Sequence, residues 1–424
     1  MNESLWSLYS NEKKYNCLDK DITTDVLVIG GGISGILAAR KLKDNNINVV
    51  VLEKDKIGMG TTSKTTAFLT YQHETLYQDL PLNKRREYLR LNKEAFKEYE
   101  KLSKIYDFDF TYTSSCLFSK NYDVIKKEYD VLKELDEDVE LINNIPYEDN
   151  SYGVLLKHQA VINPIKLINE ISKGLEIYED SEVLELHSNY VVLKNNIKIK
   201  FNKVIIATHY PLINKRNLLF MKLTQRRSYV ASIKNKDING TYCSLDNDGY
   251  YYRKYNEYLI VGGSDRDTGS KCIQDFINDV INKLKIKEDE IVYSWSGQDC
   301  ITIDGIPYIG YCDAFNKNQI LITGFNLWGF TWSMAASNIV LDIIKNNRIC
   351  ELTKPNRFFI KGRLFKNVKN AIINLVNFKK PRCTHLGCAL VYNNKEKVWE
   401  CPCHGSRYSE EGNVLEGPAK NNLK

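Results

Sequence analysis

The 424-residue chain contains no run of eighteen consecutive apolar residues, so no transmembrane helix is expected. Its first twenty residues hold no basic stretch followed by an apolar one; no secretory signal is expected, and the cytoplasm is the expected location. Histidine (6), methionine (4), tryptophan (5) and proline (9) are all scarce. No internal repeat or low-complexity tract is present, which excludes solenoid and disordered architectures. The 59 basic and 53 acidic residues leave a net charge of only +6. They are interspersed, and without a basic stripe no nucleic-acid partner is expected.

What remains is ordinary globular material, 43% hydrophobic and 26% charged, long enough for two to three domains. Seven of the eleven cysteines (Cys17, Cys116, Cys243, Cys272, Cys300, Cys312 and Cys350) are scattered and read as reduced thiols. The other four, Cys383, Cys388, Cys401 and Cys403, fall within 21 residues, and His385 and His404 share that window. In so histidine-poor a chain, this clustering is the strongest anomaly.

The apolar run 26–29 reads as a buried parallel strand, 36–42 as a helix and 48–52 as a second strand. Gly30, Gly32 and Gly35 between strand and helix complete G-x-G-x-x-G, and Glu53 follows the second strand. The glycines permit a tight turn, backbone approach to a pyrophosphate and close helix–strand packing, and the acid suits ribose hydroxyls. FAD and NAD share this fingerprint. Gly262-Gly263 offers no second copy, so no NAD(P)H domain is expected. Helices are expected at 84–106, 122–135, 271–285 and 332–345, and strands at 110–118, 181–186, 203–207 and 320–323. The basic segment 346–380 reads as a linker.

Three further segments carry a resemblance to the FAD-dependent amine and amino-acid oxidoreductases of the D-amino-acid-oxidase/glycine-oxidase superfamily, over about residues 22–350. They are the threonine-rich loop after Gly58, the pair Ala207-Thr208 after a buried strand, and Asp304-Gly-Ile-Pro-Tyr-Ile-Gly310 followed by Thr323-Gly324 and Trp328-Gly-Phe-Thr331. The resemblance implies an α/β fold with a Rossmann-like FAD-binding domain (about 22–75, 155–210 and 295–350) and an interleaved antiparallel-sheet substrate domain (about 76–154 and 211–294). It implies FAD contacts from Gly30, Gly32, Ile33, Ser34 and Gly35, and from Glu53 and Lys54. Further contacts are implied from Gly60, Thr61, Thr62, Thr65, Thr66 and Ala67, from Val183, Ala207 and Thr208, and from Gly324, Gly329, Phe330 and Thr331. Amino-acid-oxidising members clamp the substrate carboxylate with an Arg near the position of Asp299 here. A carboxylate favours a cation instead, so an amine-like substrate is expected. Asp299, Arg253 and Tyr252 are the candidate catalytic or substrate residues. His73 and His209 are possible bases, each with the plainer alternative of a hydrogen-bonded core histidine.

Cys383-Thr-His385 and Cys401-Pro-Cys-His404 resemble Rieske proteins of the cytochrome bc type. The resemblance implies a small all-β domain at 381–424, trimmed relative to the family, after a linker at 351–380. It implies Cys383 and Cys401 on one iron and His385 and His404 on the other, a disulfide between Cys388 and Cys403, and hydroxyls of Ser406 and Tyr408 on cluster sulfur. It also implies surface-exposed histidine edges that meet a partner. The rival is a Cys2His2 zinc site, which leaves Cys388, Cys403, Gly387, Gly405 and Ser406 without a role. The expected activity is an FAD-dependent dehydrogenase that passes electrons through a [2Fe-2S] cluster to an external one-electron acceptor. The alternatives are an oxygen-using oxidase with a regulatory cluster and a non-enzymatic redox sensor. Oligomeric state is not legible in the sequence.

Overall fold

A computed structural model describes residues 4–10, 15–213, 216–267, 272–313, 316–357 and 380–423. Most of the expected linker therefore lies outside the described residues.

The first apolar run forms the strand Ile22–Ile29, in parallel register with Val49–Leu52 on one side and Lys198–Ile206 on the other. Glu176–Tyr178 and Gln319–Thr323 extend the sheet in parallel, and Tyr308–Tyr311 closes one edge antiparallel. Continuous branched apolar residues suit a sheet covered on both faces. The helices Ile33–Lys43 and Gly329–Asn346 pack together over it and bury Val26, Val28, Ile36, Ala336 and Val340 in one core. The second helix begins at Gly329, three residues before the expected 332. Phe330 and Thr331 therefore lie inside its first turn rather than in the loop before it.

The second sheet runs Ile291–Thr302, Leu223–Lys234, Tyr258–Asp267, Tyr250–Tyr255, Thr241–Ser244, Thr111–Ser119, Tyr152–Val161 and Phe68–Leu69. Its members Phe68–Leu69, Tyr152–Val161 and most of Ile291–Thr302 reach into stretches expected in the FAD-binding segments. Long antiparallel strands carry the chain from one layer to the other. The amphipathic helices Leu82–Ser103, Tyr122–Glu134 and Ile273–Leu284 form within three residues of the expected bounds.

The C-terminal strands Val391–Asn393, Val398–Glu400, Arg407–Ser409 and Val414–Glu416 form an antiparallel four-stranded meander. The described start of the linker is pinned to the first domain. Arg357 donates to both Asp304 carboxylate oxygens, at 2.7 and 3.0 Å, and its guanidinium lies over the Tyr308 ring. Asp304, which opens one of the flavin-type motifs, thus anchors the chain leaving that domain.

Candidate functional site

The three sheets meet around one cavity of about 1400 Å³. At its glycine-rich end, Gly30 has φ +111°, and a Cβ there would sit 2.4 Å from the Ala207 carbonyl oxygen. At Gly35 a Cβ would sit 1.9 Å from the Gly30 carbonyl oxygen. Only glycine allows strand, turn and helix this close. Gly32 is the N-cap of Ile33–Lys43; Ile33 N donates to Thr62 Oγ1 at 3.0 Å, and Gly32, Ile33 and Ser34 line the cavity. Glu53 accepts from Gly31 N at 2.7 Å and from Asp55 N at 2.9 Å. Burial raises its carboxyl above the ordinary value, against these two bonds.

Of the expected flavin contacts, Gly30, Gly32, Ile33, Ser34, Glu53 and Lys54 line the cavity. So do Gly60, Thr61, Thr62, Thr65, Thr66 and Ala67, as well as Val183, Ala207, Thr208, Gly324, Gly329 and Phe330. Two do not. Gly35 is buried in packing, and Thr331 faces Thr70 O and His73 Nε2, at 3.3 and 3.2 Å. The helix Gly329–Asn346 presents an N-terminus without a side-chain cap to the same space.

Two expected substrate residues are corrected. Arg253, 1% exposed, donates to the carbonyls of Thr66, Ala67 and Ile162, at 2.7–3.2 Å. It ties down the threonine loop and does not face the cavity. Tyr252 is fully buried and donates to Glu148 at 2.7 Å; its neighbour Tyr251 lines the cavity instead. His73 is no base either. Its Nε2–H donates to Thr70 O at 2.9 Å, Nδ1 accepts from Tyr88 at 2.7 Å, and burial lowers it to about 3. His209 does line the cavity, with a buried Nε2 that has no hydrogen-bond partner among the described residues. Burial lowers it to about 4, so it is neutral at pH 7.

Asp299 stands on the cavity wall, opposite Arg226 in strand register. Burial, aided by Asp265, pushes its carboxyl up to about 7 against the pull of Arg226. Asp265 accepts from the Tyr251 hydroxyl at 3.3 Å. The sequence reading missed Asp265, Arg226 and Tyr251. Period-2 alternation separates Tyr251 from Tyr252, but nothing local marks Asp265, which sits where the register shifts between Arg227 and Tyr229.

The cysteine–histidine loops close the other end of the cavity. Sγ atoms of Cys388, Cys401 and Cys403 lie within 4.8 Å of one another. Hydrogen bonds from the Cys383, Cys388 and Cys403 thiols hold Cys401 well below its ordinary value. Among the described residues no disulfide is formed, so the expected Cys388–Cys403 bond is not present between these neighbouring thiols. The Tyr408 hydroxyl donates to Cys383 Sγ at 3.3 Å, and Ser406 Oγ accepts from Ala419 N at 3.0 Å. The His385 and His404 rings stand perpendicular, 5.0 Å apart.

The edge of His404 is not at the molecular surface, which corrects that expectation for one of the two histidines, while His385 is half-buried. His385 lines the cavity. His404 is 5% exposed, and its Nε2–H donates to the Phe220 carbonyl at 2.8 Å. Its Nδ1 is buried without a partner, an orphaned lone pair that suits a metal ion.

The seating of this lobe uses alternate residues of two strands. Gln225 donates to the carbonyls of His404 and Gly417, at 2.9 and 3.1 Å. Arg227 donates to Glu416 at 2.8 Å, and Gln298 to Glu416 and the Gly405 carbonyl, at 2.6 and 3.0 Å. Lys64 adds a pair to Glu416 at 3.5 Å. Gln225 and Gln298 also line the cavity, as do Arg226, Ser228 and Asp299 beside them.

Residues 25–343 match the FAD dependent oxidoreductase family, and residues 374–424 match the Rieske [2Fe-2S] domain. The chain belongs to the FAD dependent oxidoreductase family and carries a C-terminal Rieske domain; its cofactors are FAD and a [2Fe-2S] cluster. It is 28% identical to the "Putative Rieske 2Fe-2S iron-sulfur protein YhfW" of Bacillus subtilis (strain 168), over 100% of this chain and 97% of that protein. It is 24% identical to gamma-glutamylputrescine oxidoreductase of Escherichia coli (strain K12), over 78% of this chain and 86% of that protein. In fold it is similar to L-proline dehydrogenase from P. horikoshii, with a TM-score of 0.68 and 20% identity, over 80% of this chain and 98% of that one. The glycine cradle fits a dinucleotide, and the orphaned His404 nitrogen beside clustered sulfurs fits a metal centre. The protein is an FAD-dependent oxidoreductase.

Proposed function

We propose that the chain oxidises an amine or amino-acid-like substrate and passes the electrons from FAD through its [2Fe-2S] cluster to an external one-electron acceptor. The observation that carries this reading is a shared wall: the glycine cradle, Asp299 and His385 all line the same cavity. When bound, FAD supplies hydride acceptance and the cluster supplies one-electron carriage. The implied residues that line the cavity would hold FAD along the cradle, the threonine loop and the Gly329 helix end. Cys383 and Cys401 hold one iron, and His385 and His404 the other. Cys388 and Cys403, already neighbours, form a disulfide on oxidation.

Asp299 reads the substrate's cationic nitrogen, seconded by Asp265. Arg226 offsets one of the two acids, which leaves the wall able to take one positive charge, and it can also meet a substrate carboxylate. The named substrate of the Escherichia coli relative is an amine derivative, in keeping with this charge balance. The neutral His209 adds no positive charge of its own at that end.

The test compares peroxide yield with dye reduction in wild type and Cys401→Ser, with flavin content matched. Loss of dye reduction in the variant, with bleaching of the flavin by substrate retained, is the expected result. Equal dye reduction in both would overturn the route through the cluster.

A further inference from the structure

Where the strand Lys198–Ile206 ends, the chain passes Ala207 and Thr208 on the cavity wall and turns at His209, whose φ is +61°. The next residue, Tyr210, is 6% exposed and meets both cluster histidines edge-on. Its ring centroid lies 5.7 Å from that of His385, at 86°, and 6.1 Å from that of His404, at 72°. Edge-to-face contacts of this kind are attractive and orient the rings. The Tyr210 hydroxyl is buried without a hydrogen-bond partner among the described residues. The contact therefore rests on the ring and not on the hydroxyl. His404 is held from its other side by the Phe220 carbonyl. Neither imidazole takes its orientation from its own loop alone; the flavin half contributes to both.

We propose that Tyr210 is a positioning residue: its ring sets the orientation of His385 and His404 where the flavin cavity meets the iron site. The electron-transfer part rests on the reading that FAD reduces the cluster. In that step reduced FAD would give up one electron and the cluster would gain it, with Tyr210 unchanged. A continuous packed contact favours the transfer, whereas a void there removes the contacting atoms.

The experiment uses the holoprotein with Tyr210→Leu and Tyr210→Phe, and two readouts. The first is the EPR spectrum after dithionite reduction. The second is the rate of cluster reduction after a laser flash with 5-deazariboflavin and EDTA has reduced the bound FAD. Tyr210→Leu is expected to shift or broaden the cluster g-values and to slow its reduction at least tenfold. Tyr210→Phe is expected to match wild type in both. Loss of iron from Tyr210→Leu with full iron in Tyr210→Phe also supports the proposal. A Tyr210→Leu protein with wild-type g-values and wild-type rate overturns it, as does a Tyr210→Phe protein that behaves like Tyr210→Leu. If the wild-type cluster is not reduced after the flash, the FAD-to-cluster reading fails, while the g-values still decide the positioning role.

Discussion

Glu416→Gln removes one negative charge from the seam between the flavin half and the C-terminal lobe and keeps the side chain's shape. Burial alone would raise the Glu416 carboxyl; Arg227, Lys64 and Arg407 outweigh it and hold the group at about 2, against an ordinary 4.5. At about 1.36 kcal/mol per pH unit, that difference gives an upper bound of roughly 3.4 kcal/mol. The Glu416 side chain is 22% exposed, so solvent screening reduces the figure. The carboxyl's pKa is depressed in the folded protein, so the stabilisation is complete above about pH 4.5 and is lost as the pH falls toward 2. The variant also leaves Arg227, whose side chain is 6% exposed, without its counter-charge. Hydrogen exchange of the holoprotein, followed by mass spectrometry, is the assay. At pH 7 the slowest amides of the C-terminal meander should exchange at least tenfold faster in the variant, or about 1.4 kcal/mol. The strand Ile22–Ile29 should be unchanged. The difference in stability between the two proteins should shrink from pH 4.5 to pH 2. A change below threefold at pH 7 would refute the claim that this charge holds the lobe in place.

Three further outcomes are expected. Asp299, raised to about 7 from 3.8, should make the empty protein less stable as the pH rises across that window. Asp299→Asn should lack this loss in thermal midpoints, and for amine substrates it should abolish the fall of KM as the pH rises through 7. Gly35→Ala drives a Cβ to 1.9 Å from the Gly30 carbonyl oxygen; the purified variant should hold little or no FAD by flavin extraction while retaining iron. Arg253→Met removes the donor that the Thr66, Ala67 and Ile162 carbonyls share and should lower stability by roughly 3 kcal/mol. FAD should also dissociate faster from it, as read by flavin fluorescence; unchanged dissociation would deny Arg253 its hold on the threonine loop.

The Rossmann opening was legible because three independent local signals coincide: a buried branched run, glycines at fixed spacing, and an acid at the next strand end. The Rieske loops were legible because two short motifs confine the chemistry to 22 residues, Cys383 to His404. The substrate wall was not. Tyr252 and Arg253 look as available as Tyr251 in sequence, and only the pleat and the position of the threonine loop decide which faces the cavity. Asp265 reaches the site through a register shift that no local pattern announces. The burial of His404 depends on Phe220, whose part is played by a backbone carbonyl and so leaves no trace in residue identity.

On the strands Leu223–Lys234 and Ile291–Thr302, Gln225, Arg227 and Gln298 bond to the iron lobe, and Arg226, Ser228 and Asp299 line the cavity; Gln225 and Gln298 line it as well. One length of chain therefore carries two messages, and some of its letters belong to both. A change at Gln225 or Gln298 that retunes the cavity also loosens the seat of the lobe, whereas a change at Arg226 or Asp299 touches the cavity alone. The lobe is thus not a detachable accessory: a related flavin scaffold that acquired its seat would have part of its own cavity wall rewritten in the same step.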